Sequence, residues 1–295
     1  MSIVVPPAQP IVTGAEYLAL PRSPETWLIE SLLPVGGGML LFGDPKVGKS
    51  YAALQLAACI ATGQDWLGFR VPQKTPVVYV QLDTPRALWA DRVEALQKTL
   101  PVSDVFYADR ETLGTYPFDI LNPEHFKLLA AALSPIKPGV VIMDTLRESH
   151  SGDENDSTEM QDVIAHLDAC VKPAAMILIS HARKSNPEFG YSLMNDNRGS
   201  NYIVGRMDAI CRFSHQSMRL TSRTLEEHTI KLDRLDDGTW KQAVDDMAEA
   251  AQSIVLGNPG ASVRELSRLL ASSTSKSETS CRAYLRRHLK QATEA

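Results

Sequence analysis

The most constraining feature of this chain is an octapeptide. Gly43-Asp44-Pro45-Lys46-Val47-Gly48-Lys49-Ser50 matches G-x-x-x-x-G-K-[ST], between an apolar β-type run, Met39 to Phe42, and a helical pattern that opens near Lys49. Each part of the pattern has a physical task. Glycines let backbone N–H groups turn inward onto phosphate oxygens, and the first turn of the following helix adds its positive end. Lys49 is long enough to reach the β and γ phosphates, and the Ser50 hydroxyl suits a magnesium ion. The stretch Gly43 to Tyr51 is therefore expected to hold ATP with Mg2+. Asp44, an acid inside a phosphate loop, is expected to point outward, with Lys46 partly neutralising it.

Such a loop needs a strand before it and a helix behind it, and the rest of the chain continues that alternation. Apolar runs at Val77 to Leu82, Val105 to Ala108, Val140 to Met143 and Met176 to Ser180 alternate with helical patterns at Arg86 to Lys98, near Glu124 to Leu133, and at Thr158 to Val171. Near-continuous apolar strands between helices predict an α/β fold with a parallel sheet covered on both faces. Beyond them, DAICRFS, SMRLTS and HTIKLDRL read as three short strands joined by turns, an antiparallel extension of the sheet. Proline-rich residues 1–25 read as an extended arm leading into a short amphipathic segment, Thr26 to Leu33. Residues 26–246 read as the core and residues 247–295 as a small helical module.

The strand ends supply the remaining candidates. Asp144 closes the run VVIMD, where a buried strand presents a carboxylate beside the loop as a second magnesium handle; alone it could also be a turn or N-cap aspartate. Thr145 follows it, so a water-activating carboxylate has to come from elsewhere. Asp83, at the end of VVYVQL, is the candidate, since ligands gather at the C-terminal ends of parallel strands. Asp83-Thr84-Pro85 is equally a good helix start, and the N-cap reading stays open. His181 ends MILIS and could sense the γ-phosphate or its attacking water and relay the nucleotide state onward; a lone histidine is otherwise structural. The other histidines show no metal-ligand spacing.

Composition narrows the classes. At 44% hydrophobic and 22% charged residues the chain is neither disordered nor membrane-spanning. The N-terminus lacks signal-peptide features, so a cytoplasmic location is expected. Cys59, Cys170, Cys211 and Cys281 are widely spaced and contain no C-x-x-C pair, which argues against a disulfide framework or a thiolate zinc site. The formal charge of −5 hides an asymmetry: residues 253–295 hold seven basic and three acidic residues, a net +4, and the rest carries −9. An acidic body with a basic tail suits a catalytic core tethered to a nucleic-acid or partner-binding module.

With these pieces in place, residues from about Trp27 to Leu235 resemble the RecA-like ATPases of the RepA type, related to hexameric replicative helicases and to the RecA-core recombinases of phages. The resemblance rests on WLIESLLPVGGGMLLFGDPKVGKSYAALQLAACIATG, VVYVQLDTP followed by Arg92, VVIMDTLRESHSGDENDS, ILISHARKS and NRGSNYIVGRMDAICRF, in that order. It implies a RecA-like sheet, assembly into a homo-oligomeric ring or filament such as a hexamer, and ATP hydrolysis at subunit interfaces. It also implies single-stranded DNA held by two loops, here about Glu148 to Glu159 and Arg183 to Asn201. The family's usual glutamate after the second strand is replaced by Asp83, one methylene shorter, and one of two histidines by Ser180. The trans-acting arginine implied by RGSNYIVGR is Arg206 in preference to Arg198. The first DNA loop, carrying Asp153, Glu154 and Asp156, is poorly suited to phosphate contact.

The tail lies outside the resemblance. Ser262 is a plausible N-cap, Val263, Leu266, Leu269 and Leu270 recur at helical spacing, and the segment reads as a helix-turn-helix or winged-helix unit. Its basic last helix, Lys276 to Lys290 with Arg282, Arg286 and Arg287, would face duplex DNA; protein docking is the competing use. Three functions fit the whole chain: a helicase or loader in phage or plasmid replication, a recombinase filament, and a slow ATPase switch that regulates DNA binding by the tail.

Overall fold

The structure is a computed structural model, which describes residues 11–21, 27–182, 193, 201–243, 246–274, 276–282 and 285. The chain divides into two compact units, Met1–Gln242 and Ala243–Ala295.

The first unit opens with a short helix, α1 (Gly14–Ala19), in the stretch whose prolines predict an extended arm. A capping box explains it: the Thr13 hydroxyl accepts the Glu16 N–H, and the Glu16 carboxylate accepts the Thr13 N–H at 2.8 Å. The amphipathic segment that follows is a small antiparallel ribbon, β1 (Trp27–Ile29) with β2 (Leu33–Pro34). Then come β3 (Gly38–Gly43), α2 (Lys49–Thr62), β4 (Val77–Gln81), α3 (Arg86–Gln97), β5 (Val105–Asp109), α4 (Arg110–Leu113), α5 (Pro123–Leu133) and β6 (Val140–Asp144). α6 (Ser157–Val171), β7 (Ala175–His181), α7 (Asn201–Arg206), β8 (Ala209–Phe213), β9 (Ser217–Ser222), β10 (His228–Arg234) and β11 (Trp240–Gln242) complete the unit.

These strands form a nine-stranded sheet in the order β11-β10-β9-β8-β3-β7-β6-β4-β5. From β8 to β5 every neighbouring pair is parallel, and β9, β10 and β11 continue as an antiparallel extension. The sequence pattern puts the segment DAICRFS in that extension, whereas β8 runs parallel to β3. The cause is α7, which serves as the crossover that a parallel return requires. β11 has no alternating apolar signal, and the sequence pattern does not predict it.

Alternate residues explain the two layers of core. Met39, Leu41, Val77, Tyr79, Val140, Ile142, Ile177 and Ile179 face one side, against α2 and the buried Trp89 and Leu96 of α3. Leu40, Phe42, Val78, Val80, Val141, Met143 and Leu178 face the other, against α5, α6 and α7. α2 is buried without interruption from Ala52 to Ala61, because this helix, apolar on every side but for Gln55, lies inside the first layer instead of on its surface.

The second unit is helical among its described residues, with α8 (Asp246–Gly257), α9 (Val263–Ser273) and a further helical stretch at 278–282. Ser262 caps α9 in a reciprocal box with Glu265, as the sequence suggests. Ala251, Leu266, Leu270, Cys281 and Leu285 form its small core. Its described residues contain no strand that would serve as a wing.

Candidate nucleotide site

Strand register collects the predicted residues at one edge. Gly43 lies opposite His181 on β7 and Phe213 on β8, and Asp144 ends β6 opposite Gln81 of β4. This is the C-terminal edge of the parallel strands, where an open α/β sheet leaves a crevice. A cavity of about 310 Å³ opens there, and Lys46, Lys49, Ser50, Tyr51, Asp83 and His181 are among the residues that line it.

Two glycines of the loop are required sterically. A Cβ on Gly43 would stand 2.2 Å from the Phe213 carbonyl oxygen. Gly48 has a φ of 98°, and a Cβ there would meet the Trp240 ring at 2.7 Å. Asp44 is exposed, as expected of an acid in this loop. Lys49, only 6% exposed, donates to the carbonyls of Gly43 at 3.0 Å and Asp44 at 2.8 Å, with its Nζ 3.4 Å from His181 Nδ1. Burial pulls its ammonium down to about 8, while Asp144, Asp44 and Asp83 act in the opposite direction.

Asp144 is fully buried immediately behind the loop. The Tyr79 hydroxyl donates to its Oδ2 at 2.7 Å, whereas Oδ1 is buried without a hydrogen-bond partner. Burial raises its carboxyl above the ordinary range, and the neighbouring Tyr79 and Ser50 hydroxyls oppose that shift. Among the described residues no group of three or more His, Cys, Asp or Glu could hold a metal by itself. An orphaned carboxylate oxygen beside a serine hydroxyl nevertheless fits magnesium, which takes one or two protein oxygens and fills its shell from phosphates and water.

Asp83 is exposed at the cavity and does not cap α3; Pro85 occupies the cap position and no side chain caps the helix. Gln81 fixes the turn that carries it, because the Gln81 Oε1 accepts the N–H groups of Asp83 at 2.7 Å and Thr84 at 2.9 Å. The sequence reading passes over Gln81. Its signal is available, as the one amide side chain inside the run VVYVQL, and it is 1% exposed.

Tyr51 lines the cavity together with two guanidinium groups that approach its ring. Arg92 stands 5.0 Å from the ring centroid and Arg234 4.8 Å, both within cation–π range. Arg234 does not stand out in the sequence, where a charge at the end of an alternating strand reads as solvated. It reaches the cavity because β11 is bolted to α2: Gln55 Nε2 donates to the Trp240 carbonyl at 2.7 Å, and Gln55 Oε1 accepts the Trp240 N–H at 2.8 Å.

This geometry agrees with what known proteins show. A family model for the AAA domain matches residues 6–187, more than half of the chain. The chain belongs to the AAA domain family. The match includes the phosphate loop, Asp83, Asp144 and His181, and it ends before Arg206 and β8 to β11. A solved structure, described as an ATPase domain, is similar in fold at 13% identity with a TM-score of 0.52, over 71% of this chain and 85% of that one. The AAA domain chain thus has a RecA-like fold, mixed α/β with a large and mostly parallel sheet.

Other predicted residues lie elsewhere. Arg206 is exposed at the opposite edge of the sheet, where it lines a different cavity with Gly36, Gly37, Gly38, Asp168 and Asp208. Arg198 and nearly all of the second predicted DNA loop, Arg183 to Asn201, lie outside the described residues, as do Arg286, Arg287 and Lys290. The first predicted DNA loop is tied to itself: Arg147 donates to the Gly152 carbonyl at 2.8 Å, the Asp153 N–H donates to Glu159 at 2.7 Å, and Asp156 caps α6. Arg282, expected to face phosphates, is paired with Glu278 one helical turn away. No described helix is long and apolar enough to cross a membrane.

Proposed function

We propose that this chain is an ATP-hydrolysing motor that acts on single-stranded DNA as a helicase or loader, with hydrolysis completed between subunits of a homo-oligomer. The observation that carries the reading is the convergence of Lys49, Ser50, Asp83 and His181 on one cavity at the C-terminal sheet edge, with Asp144 buried behind it. Lys49 would exchange its two loop carbonyls for β and γ phosphate oxygens, a replacement of neutral acceptors by charged ones. Asp83, exposed and with its backbone fixed by Gln81, would take the proton from the attacking water. His181, within reach of Lys49, would sense the γ-phosphate. Ser50 and Asp144 would hold Mg2+, which neutralises charge on the phosphates when bound. Arg206, which does not line the nucleotide cavity of its own chain, would serve a neighbour's nucleotide as a trans-acting arginine.

A second reading, a slow ATPase switch governing the helical tail, draws on two observations: the shortened carboxylate at Asp83, and the acidic loop at Glu148 to Glu159, tied down by Arg147 and by its own bonds, which has little to offer a phosphate backbone. Steady-state ATP turnover with and without single-stranded DNA, measured alongside oligomer mass, separates the two. A motor accelerates on DNA and gains activity as oligomers form. Slow turnover that ignores DNA, in a monomer, would replace the motor with the switch.

A further inference from the structure

Tyr79 has no place in the roles assigned above, yet its hydroxyl donates to Asp144 Oδ2 at 2.7 Å and, with the Ser50 hydroxyl, favours the ionised carboxylate. The phenol lies on the α2-facing side of β4, 0% exposed, with Val77 from the same strand in the same core layer. Across the parallel ladder it sits opposite Ile142, two residues before Asp144, so the length of its ring carries the hydroxyl forward to the strand end. The ring is fixed in turn. Trp89 packs on it at 4.8 Å between centroids and 39° of tilt, and Tyr107 lies at 6.4 Å.

Packing alone gives no reason for a hydroxyl there, because phenylalanine would fill nearly the same volume without a polar atom to desolvate. The hydroxyl acquires a purpose from the carboxylate. With Oδ2 held by the phenol, turning the Asp144 group about its Cβ–Cγ bond would break that hydrogen bond, and Oδ1 remains the oxygen without a hydrogen-bond partner. Partners of this outer kind orient metal-binding carboxylates and set their affinity.

We infer that Tyr79 is a positioning residue for the metal: its hydroxyl locks Asp144 so that Oδ1 stays available to the Mg2+ that accompanies the nucleotide. The inference rests on the nucleotide-site reading above and extends it to a residue that touches neither nucleotide nor metal.

The test is binding, not turnover. A fluorescent ADP analogue is titrated onto the full chain, first in EDTA and then across a Mg2+ series, for wild type and Tyr79→Phe, with thermal melts in parallel. Tyr79→Phe should keep the wild-type affinity in EDTA and need roughly tenfold more Mg2+ for half-saturation. A variant that melts lower but shows the wild-type Mg2+ requirement would reduce Tyr79 to core filling and overturn the inference. If Tyr79→Phe does not fold, Trp89→Phe decides. It loosens the ring, and since Trp89 Nε1 has no partner it removes no hydrogen bond. A raised Mg2+ requirement supports the inference, and an unchanged one overturns it. A wild type that binds the analogue equally with and without Mg2+ overturns the inference, and a wild type that does not bind it at all overturns the nucleotide-site reading itself.

Discussion

Gln55→Leu tests whether the antiparallel extension supports the nucleotide site. Gln55, 8% exposed within α2, makes two bonds to the backbone of Trp240, whose side chain is 3% exposed and packs against the Phe213 ring at 5.0 Å. Leucine has similar bulk and no polar atom, so the substitution leaves a buried N–H and a buried C=O without partners. Each orphaned group costs about 1–3 kcal/mol, or about 2–6 kcal/mol together. The apolar leucine recovers about 1 kcal/mol of that by burial, for a net loss of about 1–5 kcal/mol. Urea unfolding followed by tryptophan fluorescence reads the effect cleanly, because all four tryptophans (Trp27, Trp66, Trp89 and Trp240) lie in the first unit. The consequence should reach function. Trp240 packs beneath Gly48, and the β10–β11 turn presses Gly238 on Tyr51, so a loosened β11 should also weaken nucleotide binding. Stability within about 0.5 kcal/mol of wild type, with unchanged nucleotide affinity, would refute the proposed coupling between β11 and the phosphate loop.

Three further outcomes follow from the same geometry. Because burial holds the Lys49 ammonium down to about 8, the free protein loses that charge as pH rises through 8, and a polyphosphate that restores it must take up a proton. Nucleotide affinity measured by calorimetry without Mg2+ should therefore fall above pH 8 by up to about tenfold per unit, and a flat profile to pH 10 would contradict it. Arg206→Ala should bind nucleotide without turning it over, and mixing it with Asp83→Asn should restore some activity; mixtures that stay inactive would remove Arg206 from the neighbour's site. Removing residues 243–295 should abolish duplex binding in a gel-shift assay while leaving single-strand-stimulated turnover intact, and unchanged duplex affinity would mark the helical unit as a docking module.

Much of this site can be read in the sequence because it is local. The phosphate loop is contiguous, and the strands that deliver Asp83, Asp144 and His181 are short apolar runs whose C-terminal ends are marked by their first charged or imidazole side chain. What is not legible depends on long-range packing. Nothing near Arg234 announces that β10 and β11 fold back against α2, because the deciding contact, Gln55 to Trp240, joins residues 185 apart. The orientation of β8 is hidden for a similar reason: an alternating strand has the same pattern in either direction, and only the crossover through α7 makes it parallel. At Asp83 the two sequence readings are separated by one hydrogen-bond choice, since Gln81 takes the N–H groups of the turn and leaves Pro85, not Asp83, at the start of α3.

The central claim is that Asp83 does chemistry on a nucleotide held by the loop at Lys49. Its most direct test is a paired measurement on Asp83→Asn, equilibrium ATP binding and single-turnover hydrolysis on the same preparation. The substitution preserves size and the backbone bonds to Gln81, and removes the carboxylate's negative charge together with its capacity to accept a proton. The account predicts ATP affinity close to wild type with hydrolysis reduced at least about a hundredfold. Hydrolysis at the wild-type rate would contradict it and leave Asp83 as a turn residue at the rim of the cavity.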